Sequence, residues 1–511
     1  MSSSSSSSTG HANKQLISTC SAITNLVANN YMCMNVSNVG NASLEEVFST
    51  IPTSGTFSNL LFSVVTAPGA GESWTATLYV NGSPSTLTSA ISGTNVKATS
   101  AGSLSVSPGD KVAYKITSSA TPAASIGAIS IFFKPDTSGE IIILGNTTTD
   151  NPANNSIGAL IGSTSTTTTT ADKSNRQMRF ATTGTLKKLY VNLAVAPGAT
   201  KSRTLTIAYG ASLGTTITTT ISGTNTAGND TVHTYDVSVG TEVFSMLHNQ
   251  SGTPTNCDAI GYGCVFIPDN PDITNVMPLN QKDTVNSANR YCSINGHSNY
   301  QASIFNVVCP EFHITGMYVY STGSSPGAEK QYVFTLLDGG NPTEVTTTLS
   351  GAETSDTWTG DYTSADGDAL AILCAPTGTP TVCRYAITLL GYIGELDESS
   401  SSQSGDNSSS STSSSTPSSL SSESSSTWLK SSSSSSSKSS ESSSSSESSS
   451  STVSSSSESS SSSPSTVSSS SESSSSTESS SSSSSYNFAL KGYTLLNINR
   501  SVKYWTEVWS R

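Results

Sequence analysis

A phrase built around Pro-Gly-Ala occurs three times in the chain at a constant interval. It reads "VVTAPGAGESWTATLYVNG" from Val64, "LAVAPGATKSRTLTIAYG" from Leu193 and "TGSSPGAEKQYVFTLLDGG" from Thr322. Successive copies of the phrase are 129 residues apart both times. Repetition at a fixed period indicates an architecture made of copies of one structural element. We therefore expect the chain to contain three related domains.

Each repeat carries the same order of local signals. An apolar segment ends at the Pro-Gly-Ala turn, an alternating segment and a Thr-rich segment follow, and a second apolar segment closes the repeat. The repeats cover residues 16–135, 140–268 and 272–396. Only 11% of the 511 residues are charged, and Ser, Thr and Gly are abundant. Short strands separated by Gly, Pro and Asn turns predict an all-β chain with three tandem jelly-roll-like β-sandwich domains.

The segment after each turn alternates with a period of two, as a strand with one buried face requires. In the first repeat the inward and outward sets are Trp74, Ala76 and Leu78 against Thr75, Thr77 and Tyr79. The matching inward sets are Arg203, Leu205 and Ile207 in the second repeat and Tyr332, Phe334 and Leu336 in the third. Because the first inward position changes between Trp, Arg and Tyr, we expect it at the edge of the sandwich.

The segments outside the repeats differ from them in composition. Residues 1–15 are a Ser-rich arm, and residues 399–485 are almost entirely Ser with scattered Glu. Such segments bury too little apolar surface to offset their conformational entropy, so we expect both to be disordered. Residues 486–511 are aromatic and basic and too short to fold alone. They are either a docking peptide, with Tyr504, Trp505 and Trp509 adding a strand to a partner, or the opening of a truncated domain.

The formal net charge of −13 excludes some classes of partner. A nucleic-acid-binding surface needs a basic stripe, and none is present. No apolar run is long enough to cross a bilayer, and the start has neither the basic region nor the apolar core of a secretory signal. We expect neither nucleic-acid binding nor membrane insertion.

The eight cysteines contain no C-x-x-C pair. Cys374 and Cys383 flank a Pro/Gly turn in "LCAPTGTPTVCRY". Two interpretations are open for them. They form a disulfide if they face each other across a hairpin, and otherwise they are buried free thiols.

The sequence shows no catalytic constellation. Residues 323–327 satisfy G-x-S-x-G, but a strand follows where a nucleophile elbow needs a helix. Asp366 and Asp368 in "SADGDAL" suggest calcium, although carboxylates at a Gly turn are the plainer interpretation. The histidines lack metal-ligand spacing. We therefore predict no enzymatic activity, no catalytic residues, no cofactor and no bound metal.

One pair of aromatic residues is a candidate ligand contact. We expect Trp358 and Tyr362 in "DTWTGDY" to have no counterparts in the first two repeats. Aromatic side chains on an exposed loop are suited to stacking on sugars. The alternative is that both side chains are buried under the loop.

The stretch "APGAGESWTATLYVNG … ISG … VSPGDKVAYKITSSATPA … ISIFFKP" resembles a repeat of uncharacterised proteins in environmental phage and metagenomic sequences. In those proteins similar sandwiches stand beside long Ser/Glu tracts. The resemblance covers all three repeats and the Ser tract, and the third repeat departs from it most. It implies virion-surface or fibre-like proteins made of trimer-forming jelly rolls, similar in shape to the globular heads of the tumour necrosis factor and complement families.

These observations favour a non-enzymatic structural or receptor-binding protein on the surface of a phage or other virion. Its expected partners are other virion proteins and a host-surface glycan or receptor, and the resemblance implies a homotrimer. The rival hypothesis is a bacterial surface adhesin or an array of carbohydrate-binding modules at the bacterial cell surface.

Overall fold

A computed structural model of the chain shows an all-β protein. It describes residues 13–21, 25–34, 47–147, 156–158, 178–210, 214–255, 257, 259–280, 288–294, 298–299, 307–308, 311–394, 493–494 and 506–507. Every regular element in these ranges is a β-strand. No helix long and apolar enough to cross a membrane occurs among them. The prediction of an all-β chain is confirmed for this part of the protein.

Repeat 1 comprises nine strands in two antiparallel sheets. They are β1 (Gln15–Cys20), β2 (Tyr31–Met32), β3 (Ser49–Thr50), β4 (Gly55–Val64), β5 (Gly69–Val80), β6 (Ser83–Gly93), β7 (Lys97–Val106), β8 (Lys111–Ser118) and β9 (Gly127–Pro135). One sheet has the order β1-β9-β4-β7, and the other has the order β2-β8-β5-β6 with β3 also on β8.

Repeat 2 has the same arrangement. Its strands are β10 (Ile141–Thr147), β11 (Ser156–Gly158), β12 (Met178–Arg179), β13 (Gly184–Leu193), β14 (Gly198–Tyr209), β15 (Gly214–Gly223), β16 (Ala227–Val237), β17 (Glu242–Ser251) and β18 (Ile260–Pro268). The sheets are β10-β18-β13-β16 and β11-β17-β14-β15, with β12 on β17.

Repeat 3 follows the same order with one added strand. Its strands are β19 (Asn275–Asn280), β20 (Arg290–Ser293), β21 (Ser298–Asn299), β22 (Val307–Val308), β23 (Phe312–Ser321), β24 (Gly327–Asp338), β25 (Asn341–Gly351), β26 (Ser355–Ser364), β27 (Ala369–Thr377) and β28 (Tyr385–Ile393). The sheets are β19-β28-β23-β26 and β21-β20-β27-β24-β25, with β22 on β27. Farther along the chain, β29 (Tyr493–Thr494) pairs with β30 (Thr506–Glu507).

Within each repeat the two sheets enclose one hydrophobic core. In repeat 1, Phe57 of β4 packs on Phe133 of β9 with ring centroids 5.1 Å apart, and Leu78 of β5 enters the same core from the other sheet. The alternation predicted for β5 is observed, since Trp74, Ala76 and Leu78 are buried while the residues between them are half-buried. The Thr-rich strands β6, β15 and β25 alternate in the same way, so each has one buried side.

The first inward position after each turn is not at the sandwich edge, so that expectation was wrong. Trp74, Arg203 and Tyr332 are 4%, 1% and 0% exposed. Their three different side chains donate the same hydrogen bond, to the carbonyls of Ala123 (3.1 Å), Thr255 (3.0 Å) and Thr381 (2.7 Å). The amides of those three acceptor residues donate in turn to the prolines of the Pro-Gly-Ala turns. What the repeats share at this position is a large side chain with a polar donor, because the loop carbonyl needs a partner.

The cores of the three repeats interlock. Leu16, Ile142 and Val276 occupy equivalent positions in the first strands, opposite the closing strands β9, β18 and β28. Ile142 of repeat 2 is buried in the core of repeat 1, and Val276 of repeat 3 is buried in the core of repeat 2. Leu16 of repeat 1 is buried in the core of repeat 3. Each core is therefore completed by the next repeat, and the third closes on the first; we call this arrangement the ring.

Side-chain amides reinforce the ring where the first strands meet. The Gln15 amide exchanges two hydrogen bonds with the backbone of Ile142, at 2.7 and 2.8 Å. Asn275 accepts a bond from the Leu16 N–H at 2.6 Å and donates one to the Lys14 carbonyl at 3.0 Å. These contacts join residues far apart in sequence, so they report directly on ring closure.

Polar contacts farther out follow the same cyclic order. Asn192 of repeat 2 donates to the Gly109 carbonyl of repeat 1 at 2.9 Å. The guanidinium of Arg179 in repeat 2 lies 3.6 Å from the centroid of the Tyr320 ring in repeat 3. Lys97 of repeat 1 donates to the Gly367 carbonyl of repeat 3. All three junctions therefore carry polar contacts as well as apolar ones.

Buried charge is also satisfied across a junction. Glu140 is 1% exposed, accepts a hydrogen bond from Thr53 of repeat 1 at 2.6 Å and pairs with Lys188 at 2.6 Å. Burial by itself would raise the pKa of Glu140, but the hydrogen bonds from Lys188, Thr53 and Lys187 outweigh it, so the pKa lies below its usual value. The ionised carboxylate thus links repeat 1 to repeat 2.

We predict that Asn275→Ala destabilises the protein by about 1–3 kcal/mol, because it leaves the buried Leu16 N–H without its acceptor. Equilibrium denaturant unfolding measures the change. Asn229→Ala, on the exposed side of β16, is the matched control and should leave the midpoint unchanged. Equal stability of the two variants would contradict a contribution of this contact to ring closure.

Candidate functional site

The predicted aromatic contacts lie on a strand, not on a loop. Trp358 and Tyr362 belong to β26, the edge strand of its sheet, opposite Met317 and Ile314 of β23. Both side chains are half-buried against the core of repeat 3, and the indole covers Gly360. The loop placement was wrong because "SDTWTGDYTS" alternates as a strand does. A ligand contact by these two residues stays a prediction.

The expectation that the first two repeats lack both aromatics was wrong for Tyr362. Tyr235 of β16 lies opposite Leu186 in repeat 2, as Tyr362 lies opposite Ile314 in repeat 3. The equivalence was missed because the strand register that aligns the two tyrosines is not visible in the sequence.

Tyr362 takes part in a small polar cluster with Asp338 and Asp368. Its hydroxyl donates to Asp338 of β24 at 2.8 Å. Burial raises the pKa of the Asp338 carboxyl, the Tyr362 hydrogen bond lowers it, and the nearby Asp368 raises it again. Sequence reasoning grouped Asp368 with Asp366 instead, because the partner on β24 is distant in sequence. Among the described residues, no group of three or more His, Cys, Asp or Glu side chains is placed to hold a metal ion.

Cys374 and Cys383 do not face each other across a hairpin, so the arrangement required for a disulfide in the first interpretation is not observed. Cys374 lies on β27 and Cys383 lies two residues before β28, and these two strands belong to different sheets. Both are buried free thiols, the second of the two interpretations, and Cys374 donates to the Tyr385 hydroxyl at 3.4 Å. Burial raises the pKa of both thiols.

We predict that the seven described cysteines do not react with Ellman's reagent at pH 8 in the native protein. All are buried, and burial raises the pKa of the Cys264 and Cys292 thiols to about 12, so these remain protonated. Cys309 lies outside the described residues, so the assay uses Cys309→Ser, and denaturant should release seven thiols. Five thiols after unfolding would indicate a Cys374–Cys383 disulfide and contradict the assignment.

The residues proposed to dock a partner, Tyr504, Trp505 and Trp509, lie outside the described residues, as do the Ser-rich tract and residues 1–12 of the arm. The expectation of a disordered arm was wrong for Gln15, which begins β1 and is buried.

A polar row crosses the outward face of one sheet in repeat 1. Strand register places Tyr31 of β2, Lys115 of β8, Thr77 of β5 and Thr88 of β6 side by side. The Thr88 hydroxyl donates to the Thr77 hydroxyl at 3.1 Å. At the usual strand spacing the row spans roughly 14 Å. Thr88 is exposed and the other three side chains are half-buried.

Tyr79 lies two residues after Thr77 on β5 and therefore on the same face of the sheet. We call the surface formed by Tyr31, Tyr79, Lys115, Thr77 and Thr88 the tyrosine–lysine face. The Tyr79 ring meets Tyr31 edge to face, with centroids 5.3 Å apart. The Lys115 ammonium lies 5.0 Å from the Tyr31 centroid and 5.5 Å from the Tyr79 centroid. Both distances are within the range of a cation–π contact, so the two rings hold the ammonium in place. No carboxylate of the described residues lies at ion-pair distance from Lys115.

The same row differs chemically in the other repeats. Repeat 2 has Ile157, Met246, Thr206 and Thr218 in it, and repeat 3 has Tyr291, Leu373, Thr335 and Thr346. The Thr–Thr hydrogen bond is therefore common to all three repeats and is a feature of the fold. The lysine is present only in repeat 1. Tyr79 likewise corresponds to Ala208 and Leu337, both buried.

Sequence reasoning placed Tyr79 on the outward face but did not connect it with Tyr31 and Lys115. The three residues come from β2, β5 and β8, and only the strand order brings them together. A detectable signal was the lysine in "AYKITSS", where the equivalent strands carry an apolar residue. No protein-family model matches the chain, and no curated protein matches its sequence.

Proposed function

We propose that the protein is a non-enzymatic structural or receptor-binding component of a virion surface, built as a three-part head within one chain. The observation that carries this proposal is the ring. Each repeat lends a first-strand side chain to the core of another, in the cyclic order expected of a trimer. Compact symmetric heads of this kind suit the display of binding faces on a particle.

In this proposal each repeat is a jelly roll. Taking β2 and β3 as one interrupted strand, repeat 1 has eight strands in the orders 1-8-3-6 and 2-7-4-5. Two four-stranded sheets with consecutive strands distributed in this way form the double Greek key of a jelly roll. Repeats 2 and 3 repeat the order, which supports descent of all three from one domain.

The trimer implied by the resemblance is, in our proposal, completed inside a single chain. A homotrimer would need equivalent faces left open on each copy, and here those faces already contact another repeat of the same chain. The head would then be monomeric, attached through the Ser-rich tract of residues 399–485 as a tether to other virion proteins. A host-surface glycan or receptor is the second expected partner.

The rival, an adhesin or carbohydrate-binding array on a bacterial surface, predicts modules arranged like beads. Interlocked cores favour the head over beads, because separating the repeats would expose Leu16, Ile142 and Val276 to water. The two functions still differ in where the protein resides.

Immunogold labelling tests the location. Antibodies against residues 13–394 should label the outer surface of intact virions purified from the source culture. Uninfected cells are the control and should stay unlabelled. Label on bacterial envelopes without label on particles would contradict the proposal in favour of the adhesin.

A further inference from the structure

We infer that the tyrosine–lysine face of repeat 1 is a binding site for an acidic saccharide, one that carries a carboxylate or sulfate group. This inference rests on the proposed receptor-binding function and names the ligand class and the residues. The site comprises Tyr31, Tyr79, Lys115, Thr77 and Thr88.

The positive charge of Lys115 favours an anionic ligand. Lys115 projects from an otherwise acidic protein, and its ammonium contacts two aromatic rings rather than a carboxylate. A cation held by ring faces keeps its N–H donors available to a ligand. An anionic group placed against it gains a charge-assisted hydrogen bond, which is stronger than a bond between neutral groups.

The tyrosines and threonines of the face favour a sugar ring next to that anion. The Tyr31 and Tyr79 rings are half-buried and meet edge to face, so they present rigid aromatic surface on which the C–H groups of a pyranose can pack. Thr77 and Thr88 continue the row on the other side of Lys115 with two hydroxyls. Apolar contact, a cation and hydroxyls in one line match a short acidic oligosaccharide better than an extended acidic peptide, which would need backbone partners at a strand edge.

Comparison between the repeats shows which residues of the face are present in repeat 1 alone. Repeat 3 has a tyrosine and the threonine pair in the same row but carries Leu373 in place of the lysine. On that face, Leu337 and Ala371 are buried against Cys20 and Ala128 of repeat 1. In repeat 1 the counterpart of Ala371, Ala113, is buried as well, next to Tyr31. The two faces therefore differ in the residues beside this buried contact, where repeat 1 has Lys115 and Tyr79 in place of Leu373 and Leu337.

The test uses the full-length protein and isothermal titration with three probes: 3′-sialyllactose, a heparin-derived tetrasaccharide and neutral lactose. We expect at least one acidic probe to bind and lactose to bind at least about tenfold more weakly. Lys115→Leu, which gives repeat 1 the residue of repeat 3, should abolish the preference for the acidic probe. The matched control, Leu373→Met in repeat 3, should bind as the wild type does.

Unfolding midpoints of both variants check that the fold is retained, and Lys115→Met provides a second substitution if Lys115→Leu is unstable. Wild-type affinity in the Lys115 variants, or no binding of either acidic probe, would overturn the inference. Full competition by poly-glutamate would assign the face to an acidic peptide and overturn it as well. If the antibodies label virions but neither acidic saccharide binds, this inference fails and the proposed location stands. If an acidic saccharide binds but virions stay unlabelled, only the proposed location fails.

Discussion

The structure depends on the exchange of apolar side chains between repeats. Leu16, Ile142 and Val276 each lie in a sheet of their own repeat, and their side chains complete the core of another. A fully buried aliphatic side chain contributes about 1.5–3 kcal/mol, so each junction is comparable to a substantial part of a domain's net stability. Removing one repeat would leave one remaining core without its contributed side chain, and it would expose the side chain that the other remaining repeat contributes to the removed core. The three repeats are thus expected to be stable as a set rather than as separate modules.

Interlocking also explains how the repeats could diverge on their outer faces. The ring fixes the positions of the inward residues, whereas the outward row differs between the repeats, and in repeat 3 it lies beside the junction with repeat 1. The row that contains Lys115 in repeat 1 contains Met246 and Leu373 in the others, on the same backbone and beside the same threonine pair. A symmetric homotrimer would carry three copies of any such change. A single chain can carry a lysine at this position in one repeat and an apolar residue in the other two, which is the asymmetry seen here.

The sequence predicted correctly the features that depend on a single strand. Alternation in β5 correctly separated Leu78 from Tyr79, since the period of two is a local property. It misplaced Trp74, because Trp, Arg and Tyr look unrelated until their shared acceptor, a loop carbonyl, is known. The ring could not be predicted, since the contact of Leu16 with repeat 3 joins strands more than two hundred residues apart. The tyrosine–lysine face required the order of β2, β8 and β5 for the same reason.

Closure of the ring within one chain is most directly tested by cross-linking across the junction between repeats 3 and 1. Lys97→Cys and Asp366→Cys together place two exposed thiols at the junction where, in the native protein, the Lys97 side chain reaches the Gly367 carbonyl, and a short bis-maleimide should join them. Closure within one chain predicts a cross-linked peptide pair in a product of 52.5 kDa, the mass of one chain. Cross-linked product found only at twice or three times that mass would show that the junction forms between chains, and would contradict the account.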